Sequence, residues 1–267
     1  MRIPYCADYR EKMQRMHRHA IVLSVSVSLL AILAVEQAGA QAYVSEESKE
    51  MAQLREAAKH RQRRIIYNND GGDMYGRRIR SVEDFLGHWT EKVVGTQVDS
   101  IFYCTGVTTV YSHDTEIAER YDDLMGAIKD TSDGSTYFRN NMPILRKAGV
   151  DSLKATIRRA HEAGLEVFWT HRINDTHDSA PENERLLSQW KRKHPECLMG
   201  VPEDTKKYPS SSTKYWWSAL DFEQPEVRDY LYRITEEVGR RYDVDGIEID
   251  YWRYPVFFRP NMDGQPA

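Results

Sequence analysis

From Arg64 to Tyr251 the sequence alternates short apolar or aromatic runs with longer stretches of helical periodicity, which restricts the fold to parallel α/β architectures. The first run, Arg64-Ile65-Ile66-Tyr67-Asn68, is broken by the turn cluster Asn69-Asp70-Gly71-Gly72. Ser81 then reads as an N-cap, with apolar spacing through Val82, Phe85, Leu86 and Trp89. A second strand is expected over 98–104, a third over 165–170 and a fourth over 244–251. Asp151 caps the amphipathic stretch SLKATIRRAHEAG, whose Gly164 is placed as a C-cap, and Pro225 opens the helix EVRDYLYRITEEVGRRY. Residues 182–193 also read as helical, while 107–150 and 194–220 are long excursions rich in polar and aromatic residues.

Strand–helix repeats of this kind imply parallel strands joined by right-handed crossovers. An open doubly wound sheet and a (β/α)8 TIM-type barrel both satisfy that rule. No Gly-x-Gly-x-x-Gly follows the first strand, which weakens a nucleotide-binding sheet. The polar loops after strands two and three lie at the end where barrels carry their sites. The barrel is therefore the expected class. A full barrel needs about 250 residues and eight strands, whereas about four β/α units are legible here, so residues 63–267 read as its N-terminal half.

The N-terminus reads as an export signal over residues 1–42. Arg2, Arg10, Lys12, Arg15 and Arg18 precede an apolar run from Ala20 to Val35, and Ala38-Gly39-Ala40 and Ala40-Gln41-Ala42 supply small-x-small cleavage patterns. The run is shorter than the roughly 20 residues of a membrane span, so cleavage is preferred to an uncleaved anchor. A secreted or periplasmic location follows, with no membrane insertion after cleavage. Residues 43–62 form a polar lead-in. Losing the leader removes two net positive charges from the formal −4, leaving −6, which argues against nucleic acid as a partner. Cys104 and Cys197 remain and are expected as free or buried thiols, although export permits a disulfide.

The fourth strand carries the strongest site signal. In DVDGIEIDYWRYP, residues 243–255, alternation sends Ile247 and Ile249 to one face and Glu248 and Asp250 to the other. The helices of a barrel need apolar partners, so the carboxylates face the axis, Asp250 at the rim and Glu248 one layer deeper. The two are about 7 Å apart, close enough to interact. Tyr251, Trp252 and Tyr254 follow, and their flat faces suit sugar rings. Asn68 and Asp70 after the first strand, and His171 and Arg172 at the end of the third, are further substrate-binding candidates. His171, Asp175 and His177 also admit a metal reading, but HxxxDxH is unspecific, and no metal or cofactor is expected. Asn174-Asp175-Thr176 matches a glycosylation triplet, a pattern common by chance. Of the adjacent Trp216 and Trp217, at least one is expected to face outward.

Residues 221–255, DFEQPEVRDYLYRITEEVGRRYDVDGIEIDYWRYP, resemble a glycosyl-hydrolase-like barrel family of bacterial secreted proteins. His194-Pro195-Glu196 resembles that family's HPE segment, and AHEAGLEVFWTHR at 160–172 its third helix–strand unit. The resemblance implies an acidic residue ending the fourth strand, matched by Asp250; where the family often has a second Asp, this chain has Tyr251. It also implies a glycoside hydrolase acting on an oligo- or polysaccharide, with Asp250 as nucleophile or base, Glu248 as its fallback partner, and the second carboxylate on a later strand. The alternatives are a non-catalytic glycan-binding barrel and, less favoured, a metal-dependent hydrolase. Sugar, linkage, stereochemical outcome and oligomeric state stay open.

Overall fold

The computed structural model describes residues 59–72, 79–125 and 141–263, together with positions 49, 53, 56 and 57. The expected leader lies outside the described residues. The chain divides into two compact units, 1–62 and 63–267. In the first, Lys49, Gln53, Glu56, Ala57 and Lys59 are helical. No helix among the described residues is long and apolar enough to cross a membrane.

The second unit is built on a four-stranded parallel sheet: β1 (Ile66–Asn69), β2 (Ser100–Cys104), β3 (Glu166–Arg172) and β4 (Gly246–Asp250). Spatial order equals chain order, β1-β2-β3-β4, and every pairing is parallel. A doubly wound sheet reverses its order at a switch point; this one winds in a single direction across all four strands.

Helices fill the crossovers: α1 (Val82–His88), α2 (Ser152–Glu162) and α3 (Pro225–Arg241). Their ends follow local chemistry. The Ser81 hydroxyl accepts from the Asp84 N–H at 3.2 Å, and the Asp151 carboxylate accepts from the Lys154 N–H at 2.9 Å, each satisfying a donor that the first turn leaves unpaired. Pro225 occupies the first turn of α3, and Gly164 takes φ +74° just beyond α2. The 182–193 stretch departs from the expected single helix. Pro181–Leu186 is a 3-10 turn and Gln189–Lys193 a separate short helix. Leu187 and Ser188 between them are extended, and the Ser188 hydroxyl starts the new helix by accepting from the Lys191 N–H.

All three helices cover the same face of the sheet. Ile101, Tyr103, Val167 and Trp169 are buried there with Phe85, Leu86, Leu153, Ile157, Ile234 and Val238. Ile247 packs against this cluster, and Ile249 against a second one formed by Ile173, Leu187, Leu198, Trp217, Leu220 and Leu231. The opposite face has no helix upon it among the described residues. It carries Phe102 stacked on Phe168 at 4.5 Å, and Arg63, which lies 5.0 Å over Phe168 and grips Glu166 through two hydrogen bonds. Gly246 begins β4 because a Cβ there would enter the Phe168 ring.

Cys104 and Cys197 are free and buried, as expected. Of the tryptophan pair, Trp217 is buried and donates to the Ser179 carbonyl at 3.0 Å, while Trp216 is half-buried, edge-on to Tyr254.

Candidate functional site

The C-terminal ends of the four strands bring a charged cluster together. Arg172 ends β3 and is only 8% exposed; Asp250 is its register partner on β4. The guanidinium forms an ion pair with Asp70 just past β1, and lies 3.6 Å from Asp175 and 3.9 Å from Asp250. One buried cation thus ties three carboxylates from three separate segments. Among the described residues Arg172 Nε nonetheless has no hydrogen-bond partner, leaving a buried donor directed into the cluster.

Asp250 stands at the rim of the helix-free face. Its Oδ1 accepts the backbone N–H groups of Trp252 and Arg253, at 2.9 and 3.1 Å, which shape the loop after β4. Glu248 lies one rung lower, where Oε2 accepts the Thr170 hydroxyl at 2.6 Å. Beyond the rim, Trp252 is 85% exposed and Tyr251 more than half exposed, so an aromatic surface adjoins the strand end.

A cavity of about 540 Å³ opens over the ends of β1 to β3, with Asn68, Asp70, Trp89, Arg172, His177 and Arg253 among its walls. Its floor depends on the turn after β1. The Asn69 side chain accepts the Gly71 N–H at 3.1 Å, and Gly71 takes φ +80° with its α-carbon so close to the Cys104 carbonyl that no side chain fits. Asp250 is not on the cavity wall; Arg172 connects the two.

His171 is not brought to this site. Successive residues of a strand face opposite ways, so His171 and Arg172 cannot both reach it. His171 points to the helix side, fully buried, stacked on Trp169 at 4.9 Å and hydrogen-bonded through Nδ1 to Thr235 of α3. It is a core residue, and the metal set His171, Asp175 and His177 is split across two faces of the sheet. Among the described residues, His194, Glu196 and Cys197 offer donor atoms within 4.8 Å of one another. They lie away from the cavity, and burial, then the Glu196 charge, raises the Cys197 thiol pKa. Asn174 is buried, donating to the Leu220 and Val256 carbonyls, so the glycosylation triplet is sequestered.

Arg253, Trp89 and Asn183 on the cavity wall escaped the sequence reading, which named Asp175 and His177 only as candidate metal ligands and not as partner of Arg172 and cavity residue. The density of acids and histidines in NDTHDS, directly after β3, is the signal that pointed there.

Burial pushes His113 down to about 3 and His171 to about 4 from an ordinary 6.5. Both are neutral in the fold, whereas the unfolded chain binds protons below pH 6.5. Their stability contribution is therefore complete above pH 6.5 and is lost as the pH falls towards 4. The expected cost is about 2 kcal/mol per histidine by pH 5. The urea midpoint should fall clearly between pH 7.5 and 5.0, and less steeply in His171→Asn; a constant midpoint would contradict the burial.

In class, the unit is a mixed α/β protein with a singly wound parallel sheet and a charged, aromatic-edged cavity at its C-terminal rim. Residues 137–264, which contain β3, α3 and β4, match the family model described as glycosyl hydrolase-like 10. The glycosyl-hydrolase-like resemblance therefore holds over this segment, and it points to a glycoside-hydrolase-like function with a glycan as substrate class. No curated protein matches the sequence.

Proposed function

We propose that this protein is an exported glycoside hydrolase in which the four strands form part of the wall of a (β/α)8 barrel. The observation that carries the reading is the position of Asp250: a carboxylate at the C-terminal rim of a singly wound parallel sheet, on the face that no helix among the described residues covers, beside exposed aromatic rings. In that position it serves as the nucleophile, or as the base that activates water, at an anomeric carbon. Asn68, Asp70 and Arg172 contribute hydrogen-bonding groups to sugar hydroxyls, and Trp252 offers a ring for stacking. Glu248, tied to Thr170 one rung below, supports the site from beneath.

A glycan-binding protein without catalysis is the second reading, favoured by the 85% exposure of Trp252 and by Asp250 Oδ1 being engaged by loop amides. A reducing-end assay with the full-length exported protein over a panel of neutral, amino-sugar and uronate polysaccharides separates the two. New reducing ends support hydrolysis. Saturable binding without release establishes the second reading, and neither release nor binding across the panel overturns both.

A further inference from the structure

We propose that Asp175 and His177 form a proton-transfer dyad that presents the imidazole Nε2 to a ligand in the cavity. Nδ1 of His177 lies 2.7 Å from Asp175 Oδ1, which also accepts the His177 backbone N–H at 2.9 Å. The same oxygen thus fixes the turn and orients the ring. The Asp175 side chain has no exposed surface, whereas the His177 side chain is 35% exposed and lines the cavity. Nδ1 faces the carboxylate, so Nε2 occupies the opposite edge of the ring. The ring is further held edge-on to Tyr254 at 5.5 Å.

A turn cap alone would not explain the rest of the Asp175 environment. Its second oxygen is buried without a hydrogen bond among the described residues, 3.6 Å from the Arg172 guanidinium, with Arg253 and Asp70 also at the cavity. Burial opposes the charge on Asp175, but the hydrogen bonds from His177 and the Arg172 charge outweigh it and hold the carboxyl below its ordinary value. An ionised acceptor requires a proton on Nδ1, which leaves a lone pair on Nε2. With Asp250 as nucleophile, the bond from its carboxylate to the anomeric carbon forms as the glycosidic C–O bond breaks, and the departing sugar oxygen takes the Nε2 proton of the imidazolium, whose charge Asp175 offsets. The freed lone pair then takes a proton from a water: the O–H bond breaks, an N–H bond forms, and the water oxygen bonds to the anomeric carbon as Asp250 leaves. The dyad thereby supplies the acid–base partner that Asp250 needs, a role that rests on the hydrolase reading, although the geometry of the dyad does not.

The test has two arms. Nitrogen-15 NMR of the histidine side chains in the full-length protein should show neutral His177 protonated at Nδ1, opposite to the usual preference of a free imidazole. The Nδ1–H fraction should fall in Asp175→Ala, or in Asp175→Leu, which also lacks an acceptor, if the first variant does not fold. A wild-type ring protonated at Nε2 overturns the dyad. In the second arm, on a glycan that the wild type cleaves, His177→Gln should lower kcat by about 100-fold or more with KM changed little. Wild-type turnover in His177→Gln beside an inactive Asp250→Asn rejects the inference and leaves the hydrolase reading standing. If the wild type cleaves no glycan, the hydrolase reading fails, and the tautomer alone decides the dyad.

Discussion

Asp250→Asn should abolish glycan cleavage, lowering kcat by about a thousandfold or more, while thermal unfolding stays nearly unchanged. The two halves of this expectation have separate physical origins. An amide can neither attack an anomeric carbon nor take a proton from water, so the chemical step loses its carboxylate. The structural work of the residue survives, because an asparagine oxygen still accepts the Trp252 and Arg253 N–H groups that close the loop after β4. The ion pair with Arg172 is also long, 3.9 Å, and Asp70 stays in direct contact with the same guanidinium. Glu248→Gln provides the contrast. A glutamine oxygen still accepts the Thr170 hydroxyl, and the position is one rung below the rim, so turnover should fall by less than about tenfold. Reducing-end release and melting curves for both variants check the pair. Wild-type turnover in Asp250→Asn would remove Asp250 from the chemistry.

What made Asp250 legible is that β4 obeys a period of two without interruption. Ile247 and Ile249 do pack towards the helices, and Glu248 and Asp250 do lie on the other face, as the alternation requires. The caps at Ser81, Asp151 and Gly164 were equally readable, because each depends on a residue and its near neighbours alone. The same period of two, applied to HR at the end of β3, would have separated His171 from Arg172. Grouping both at the site followed proximity in sequence rather than side-chain direction. The Arg172 cluster was not readable in this way. Asp70, Asp175 and Asp250 come from three segments separated by long excursions, and only the parallel register of β1 to β4 makes them neighbours. Excursions also hid the cavity wall, since Asn183 and His177 reach it through 3-10 turns, the first of which is held by the Trp217 indole donating to the Ser179 carbonyl.

The largest stability effect expected in the molecule lies in that same excursion. Lys191 is 1% exposed, and its ammonium donates to Asp178 Oδ2 at 2.7 Å; Asp178 is itself buried, with Oδ1 accepting the Ser218 hydroxyl. A buried pair of this kind adds little net stability when intact, but removing one partner strands the other charge in a medium of low dielectric. Lys191→Ala should therefore cost about 3–5 kcal/mol, or roughly 10 °C in melting temperature for a domain of this size. The double variant Lys191→Met with Asp178→Leu, which removes both charges and keeps the volume, should recover most of that loss. Burial already raises the Asp178 carboxyl above its ordinary value with Lys191 beside it. In Lys191→Ala that carboxyl should protonate more readily, so the penalty relative to wild type should shrink from pH 8 to pH 5. A difference that stays constant with pH would mean that packing, not charge, dominates the loss. The pair also bears on function: the Lys191 ammonium reaches the Asp175 carbonyl at 3.5 Å, and Asp178 follows His177 directly. Loosening it should release the segment that orients the imidazole, so in Lys191→Ala amide exchange should quicken at residues 175–179 before it does in the strands.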